Sequence, residues 1–190
     1  LGAISVELMA SLKINEGQFG NLVMGLFLTS CIVQLIIGPL VDKLGYKPVA
    51  ILGFVVTSGS MFLLAFAGSF PLALLACILL GIGAMSLNTV GNTLIPVVLF
   101  GGKDPARASN LGNAFFGLGY VLTPLLFIFF LKTLSLSYSV SVAIIGAVVA
   151  IFLLFALATS FPQVSIGFKF SMAIKLLGKG AVLVAALALF

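Results

Sequence analysis

Five long apolar stretches, separated by short turns, dominate this sequence of 190 residues. They cover residues 19–41, 49–67, 72–100, 108–131 and 140–160. Each stretch holds the ~20 apolar residues that a helix needs to cross the hydrocarbon core of a bilayer. Only 7% of the residues are charged, whereas soluble domains average about 25%. The pattern excludes a water-soluble fold and predicts an all-α, polytopic transmembrane helical bundle.

Two shorter apolar stretches occupy the ends of the sequence. Residues 1–12 would cover only ~18 Å as a helix, and residues 179–190 end while still hydrophobic. We interpret them as part of a first span and the start of a seventh, in a chain cut from a longer protein. The predicted organisation is a transmembrane bundle in residues 1–160, a loop in residues 161–178, and the beginning of a further span in residues 179–190.

The basic residues lie mainly on one side of these spans. Seven of the nine follow the second, fourth and sixth spans: Lys43, Lys47, Lys103, Arg107, Lys169, Lys175 and Lys179. Because cytoplasmic loops carry the excess of Lys and Arg, we place these loops inside the cell, in a multi-pass protein of the cell (inner) membrane. Loop 161–178 is either an amphipathic stretch at the inner interface or a solvated linker. Since the basic residues are scattered, nucleic acid is not an expected partner.

The residue types that support catalysis or metal binding are scarce. The sequence has no His, and its two Cys residues, Cys31 and Cys77, each lie inside an apolar stretch. No metal-ligand cluster, disulfide framework or thiol–imidazole pair can form from this set. The spans also lack paired acids and a nucleophile with its base. We therefore predict neither an enzyme nor a cofactor.

The loop after the second span carries the most specific motif. It reads Gly38-Pro-Leu-Val-Asp42-Lys43-Leu-Gly45-Tyr46-Lys47-Pro48. This loop resembles the G-x-L-x-D-[RK]-x-G-[RK]-[RK] loop of the major facilitator superfamily, with Tyr46 in place of one basic residue. Asp42 would end a helix, where the macrodipole disfavours an anion, so Lys43 and Lys47 are candidate partners.

The resemblance implies a fold, a gate and a mechanism. The chain would be the N-terminal six-helix half of a carrier, with its first helix truncated and a seventh begun. The carrier would work by alternating access, as two six-helix halves rock against each other. Gly38, Asp42, Lys43, Gly45 and Lys47 would form a cytoplasmic gate against the C-terminal half of the same transporter. The alternative is that this loop is an ordinary cytoplasmic turn without a role in gating.

Two further patterns refine the resemblance. Cys77-x-x-x-Gly81-x-Gly83 is similar to the R-x-x-x-G-x-G pattern of proton-coupled members, but Cys77 replaces the arginine. The fifth span lacks the adjacent Gly-Pro that marks drug antiporters, which disfavours drug antiport. Residues 88–126 weakly resemble sugar–proton symporter branches.

Polar residues inside the spans indicate where a substrate would bind, because such side chains face protein or a water-filled cavity. Asn88 and Asn92 share one face of the fourth span, and Asn113 and Tyr120 share one face of the fifth. These four are the predicted substrate contacts. The alternatives are interhelical hydrogen bonds for Asn88 and Asn92, and helix capping or an inner gate for Asn113.

Glu7 is the only acid inside a predicted span. A carboxylate in a low dielectric can bind and release a proton during transport, although it could instead snorkel to the outer interface. The expected function is transport of a small, polar, neutral, sugar-like solute across a lipid bilayer, coupled to protons through Glu7. A non-transporting scaffold or assembly subunit is the alternative.

Overall fold

The computed structural model describes residues 1–162 and residue 180. Six α-helices follow one another in this part of the chain: α1 (Ser5–Leu12), α2 (Glu16–Leu44), α3 (Tyr46–Ala65), α4 (Phe70–Val98), α5 (Pro105–Ile128) and α6 (Tyr138–Ala158). Short 3-10 turns at Gly2–Ile4 and Leu99–Gly102 precede α1 and follow α4, and a π-helical turn at Phe129–Thr133 extends α5. No strand occurs among the described residues.

Five of these helices, α2 to α6, are long and apolar enough to cross a membrane. This confirms the predicted all-helical fold with five spans. Helix α1 and the turn before it are too short to span a bilayer. The predictions made for residues 163–179 and 181–190, which include the basic loop residues Lys169, Lys175 and Lys179, fall outside the described residues.

Helices α2, α5 and α6 begin at polar caps that precede the apolar stretches. Asn15 and Gln18 form a reciprocal capping box at the start of α2. The carboxylate of Asp104 accepts a hydrogen bond of 3.0 Å from the backbone N–H of Arg107, and the hydroxyl of Ser137 accepts one of 3.3 Å from Val140. These bonds satisfy N–H groups that a helix start leaves open. The helices therefore extend beyond the hydrophobic residues into the interface.

Helix α4 lies between α2 and α3, and α3 also packs on α6. Two glycines allow the close approach of α4 to its neighbours. A Cβ on Gly81 would lie 2.7 Å from the carbonyl oxygen of Leu26 in α2, and one on Gly83 would lie 2.6 Å from the backbone nitrogen of Thr57 in α3. Backbones approach in this way only where the side chain is absent.

Two apolar clusters hold the two ends of the bundle. One joins α1 to the start of α4 and α6 and includes Leu8, Cys77 and Val142. The other joins the end of α2 to the start of α3 and includes Val41 and Val49. Cys77 is 0% exposed in the first cluster. An arginine in its place would be buried among apolar side chains, so this position suits the thiol that the sequence provides.

Candidate substrate site

A cavity of about 530 Å³ lies between α4 and α5. Its lining consists of four residues of α4 and four of α5: Ala84, Met85, Asn88, Asn92, Asn113, Phe116, Gly117 and Tyr120. The volume falls within the range of roughly 300–1,000 Å³ that is usual for pockets that bind small ligands. Mostly apolar walls with a few amides suit a solute that has both polar and apolar surfaces.

All four residues predicted to contact a substrate line this one cavity. Asn88 and Asn92 come from α4, and Asn113 and Tyr120 come from α5. Residues four or seven apart lie close to one face of a helix, so each helix directs its pair to the same side. Asn110, a polar residue three positions before Asn113 on α5, is exposed and does not line the cavity.

The two asparagines of α4 bond to each other. The amide N–H of Asn92 donates to the amide oxygen of Asn88. This bond lies within α4, whereas the alternative predicted for these residues was hydrogen bonding between helices. An asparagine amide has two N–H donors and an oxygen acceptor. Asn88 therefore keeps its donors, and Asn92 keeps its oxygen, for a molecule in the cavity.

Four lining residues were not among the predicted substrate contacts: Ala84, Met85, Phe116 and Gly117. Phe116 follows Asn113 by three residues and precedes Tyr120 by four, so the helical spacing that selected those two residues also contains it. Its ring reaches towards α4, where its Cζ atom would lie 3.9 Å from a Cβ placed on Gly91. Ala84 and Met85 carry no polar signal that could have identified them.

The polar side chains of α5 that line the cavity are also largely exposed. Tyr120 is 80% exposed, and Asn113 is also exposed. Gln34 is an exposed polar side chain on α2. Polar groups within spanning helices rarely face hydrocarbon, because an unpaired polar group there is costly.

Glu7 stands apart from the cavity. It is half-buried on α1, next to the fully buried Leu8, and it does not line the α4–α5 cavity. Within residues 1–162, its carboxylate makes no hydrogen bond or ion pair. The structure therefore does not bring the predicted proton-coupling residue together with the predicted substrate contacts.

The loop that resembles the cytoplasmic gate forms a tight junction between α2 and α3. Gly45 has φ of 86°, a left-handed conformation that favours glycine, and it joins the two helices. Asp42 and Lys43 are exposed in the last turn of α2. Gly38 has open space beside it, with no described atom within 4 Å of a Cβ placed there.

Lys47 connects this loop to the end of α6. Its ammonium group donates a hydrogen bond of 2.9 Å to the carbonyl oxygen of Leu157, near the C-terminal end of α6. Carbonyl groups in the last turn of a helix lack partners within the helix, and a cation there is favoured by the helix dipole. Lys47, which was predicted as a gate residue and a candidate partner of Asp42, thus ties α3 to α6.

Comparisons with known proteins give the family of this chain. No curated protein and no solved structure matches it. The model of the Major Facilitator Superfamily matches residues 1–190. With five apolar helices long enough to cross a membrane, the chain is an integral, multi-pass membrane protein. It belongs to the Major Facilitator Superfamily, whose members are membrane transporters that bind small molecules within the membrane.

Proposed function

We propose that this protein carries a small, polar, neutral solute, such as a sugar, across the cell (inner) membrane by alternating access, and that it couples transport to protons. The observation that carries the proposal is the cavity between α4 and α5. It combines the open amide groups of Asn88, Asn92 and Asn113 with the aromatic rings of Phe116 and Tyr120. Hydroxyl groups of a sugar both donate and accept hydrogen bonds, and the apolar face of its ring packs on aromatic surface.

The charges of the cavity favour a neutral solute. None of its eight lining residues is acidic or basic. An anionic or cationic solute would leave its charge without an opposite partner in a low-dielectric site, which is costly. Amide groups instead match the hydroxyl groups of an uncharged molecule.

A second bundle of helices completes the site in this proposal. The exposed polar residues Tyr120, Asn113 and Gln34 lie on spanning helices, where lipid is an unfavourable neighbour. Carriers place their substrate sites near the midplane, between two repeats that rock against each other. We assign residues 1–160 to the first six-helix half, residues 161–178 to a cytoplasmic loop between the halves, and residues 179–190 to the start of the seventh helix. The second half is then the partner that covers α5 and closes the gate loop.

Glu7 is the proposed proton carrier. It is a half-buried carboxylate on α1 with no hydrogen-bond or ion-pair partner among the described residues. Because α1 contacts α2 and α6, a change in the packing of α1 would alter the exposure of Glu7 to water. A carboxylate that moves between low and high dielectric changes its proton affinity, which is the requirement for coupling.

Counterflow of labelled solutes tests the proposed function. The full-length protein would be reconstituted in vesicles loaded with an unlabelled solute, and the entry of a labelled solute would be measured over a panel of hexoses, polyols, amino acids and organic anions. We expect counterflow for a neutral hydroxylated solute and a much slower rate in the Asn88→Ala variant. Counterflow for an organic anion alone would contradict the assignment of substrate class. Absence of counterflow for every solute would favour the scaffold or assembly role.

A further inference from the structure

A second cavity lies where the α2–α3 junction meets the end of α6. It has a volume of about 700 Å³ and is lined by residues 41–48 and 160–162. We call it the rim pocket. Among the described lining residues, the charged ones are two lysines, Lys43 and Lys47, and one aspartate, Asp42. The pocket therefore has an excess of positive charge, unlike the neutral cavity between α4 and α5.

Tyr46 is the unusual residue of the rim pocket. It lines the pocket but is only 3% exposed, and its hydroxyl has no hydrogen-bond partner among the described residues. A buried hydroxyl without a partner is costly, so such groups are normally paired with protein, water or a ligand. The sequence also departs from the family loop here, since Tyr46 occupies a position that is usually basic.

Lys47 is held in place by one hydrogen bond and has further N–H donors available. One of its three ammonium hydrogens bonds to the carbonyl oxygen of Leu157, which leaves two for another acceptor. Lys43 is exposed at the same pocket, and Ser160 adds a hydroxyl. Hydrogen-bond donors are thus available from Tyr46, Lys43 and Lys47. The oxygens of a phosphate group are strong acceptors for such donors.

An apolar groove adjoins the rim pocket. It has a volume of about 470 Å³ and runs between α3 and α4, where Phe54, Val90 and Val98 are part of its lining. Phe161 lines both the groove and the rim pocket, so the two meet at this ring. The groove carries almost no polar surface, and it follows helices that cross the membrane. Its chemistry suits an acyl chain.

We propose that the rim pocket and the groove together bind one anionic glycerophospholipid from the surrounding bilayer. The phosphate lies against Tyr46, Lys43 and Lys47, a hydroxyl of the headgroup donates to Asp42, and one acyl chain lies along the groove past Phe161. Basic pockets between spanning helices bind anionic headgroups in this way. The lipid would fix the junction of α2, α3 and α6, next to the loop that we assign to the gate.

Quenching of a single tryptophan by brominated lipids tests this site. The 190 residues contain no tryptophan, so Phe54→Trp places a reporter in the groove. Phe152→Trp, at an exposed site on α6 outside the groove, is the matched control. In the full-length protein, tryptophans elsewhere would be replaced by phenylalanine. The vesicles would contain phosphatidylcholine with phosphatidylglycerol, with bromine on the acyl chains of one lipid at a time.

We expect brominated phosphatidylglycerol to quench Phe54→Trp with an apparent affinity about tenfold higher than brominated phosphatidylcholine, which corresponds to one charge-assisted hydrogen bond. The control should show no preference. Adding Tyr46→Phe, which removes only the hydroxyl, should abolish most of the preference. Lys43→Gln, at an exposed position, provides a second variant that does not disturb the core.

Three results would overturn the proposal. Equal quenching of Phe54→Trp by the two lipids would show that the groove does not select anionic lipid. A preference that survives both Tyr46→Phe and Lys43→Gln would place the headgroup elsewhere. Quenching at Phe54→Trp by neither lipid would show that another occupant, such as residues 163–178 of the chain, fills the groove.

Discussion

The amide N–H of Asn92 donates a hydrogen bond to the amide oxygen of Asn88, one helical turn earlier on α4. The bond engages the amide oxygen of Asn88 and leaves its two N–H donors without a partner among the described residues. In the proposed site, Asn92 therefore both positions Asn88 and offers its own amide oxygen to the solute.

This arrangement predicts non-additive effects on substrate affinity. Asn88→Ala should raise the KM of counterflow about fivefold, because a neutral hydrogen bond contributes about 1 kcal/mol. Asn92→Ala should have a smaller effect in the Asn88→Ala background than in the parent, since part of its role is to position Asn88. Asn110→Ala, outside the cavity lining, is the control. Additive effects of Asn88→Ala and Asn92→Ala would mean that each residue contacts the solute by itself.

Replacement of Glu7 separates proton coupling from solute movement. Glu7→Gln mimics the protonated carboxyl, so gradient-driven accumulation should be lost while exchange of labelled for unlabelled solute continues. Exchange needs only the loaded carrier to move, whereas net uptake requires the empty carrier to release its proton and return. Glu16→Gln makes the same chemical change at an exposed helix start and should affect neither process. Normal accumulation in Glu7→Gln would exclude coupling through this residue.

Removal of the charge at Asp42 tests the gate loop. Asp42→Asn removes the charge of this exposed side chain but changes its volume very little. The amount of folded protein should therefore stay the same, while transport becomes slower. Asp104→Asn is the matched control on the same predicted side, because asparagine also caps a helix and keeps the bond to the N–H of Arg107. Equal transport rates in the two variants would identify the loop as an ordinary turn.

Two glycines, one on α4 and one on α3, should respond to alanine with opposite signs. Gly83→Ala would place a Cβ 2.6 Å from the backbone nitrogen of Thr57, and we expect a loss of about 1–3 kcal/mol from overpacking. A Cβ placed on Gly59 would have no neighbouring atom within 4 Å. Gly59→Ala should therefore stabilise α3 by about 0.5–1 kcal/mol, because glycine is a poor helix former. Thermal unfolding of the detergent-purified protein measures both. A Gly83→Ala variant as stable as the parent would mean that α3 and α4 can separate freely.

Cysteine labelling in intact cells tests the orientation. Cys31 would first be replaced by serine, since it is exposed, whereas Cys77 is buried. Lys103→Cys, in the exposed α4–α5 turn, should be protected from a membrane-impermeant thiol reagent, and Ser69→Cys, in the exposed α3–α4 turn, should react. Gly102 is a poor probe site because its φ of 72° strains any other residue. Labelling of Lys103→Cys instead of Ser69→Cys would reverse the topology.

Much of the architecture could be predicted from the sequence because the bilayer imposes a simple rule. A helix must present about 20 apolar residues to cross the hydrocarbon, so the five stretches indicated the five spanning helices directly. The helix starts were less apparent. Polar residues such as Asn15 and Asp104 extend α2 and α5 beyond the apolar stretches, because capping depends on hydrogen bonds to the backbone and not on hydrophobicity.

The sequence also selected Asn88, Asn92, Asn113 and Tyr120, because helical spacing determines which residues share a face. The spacing of residues within one helix does not determine which face of a neighbouring helix those residues will contact. Only the packing of α4 against α5 brings the four residues into one cavity with Phe116, whose apolar ring gave no signal of its own.

Two relationships at the rim of the bundle were decided by tertiary structure alone. The bond from Lys47 to Leu157 joins residues 110 positions apart, and the burial of Tyr46 depends on α2, α3 and α4 meeting at one end. Local sequence determines where a helix begins and which side of it is polar. It does not determine which distant carbonyl a lysine reaches or whether a hydroxyl is cut off from water, because both depend on how the helices pack.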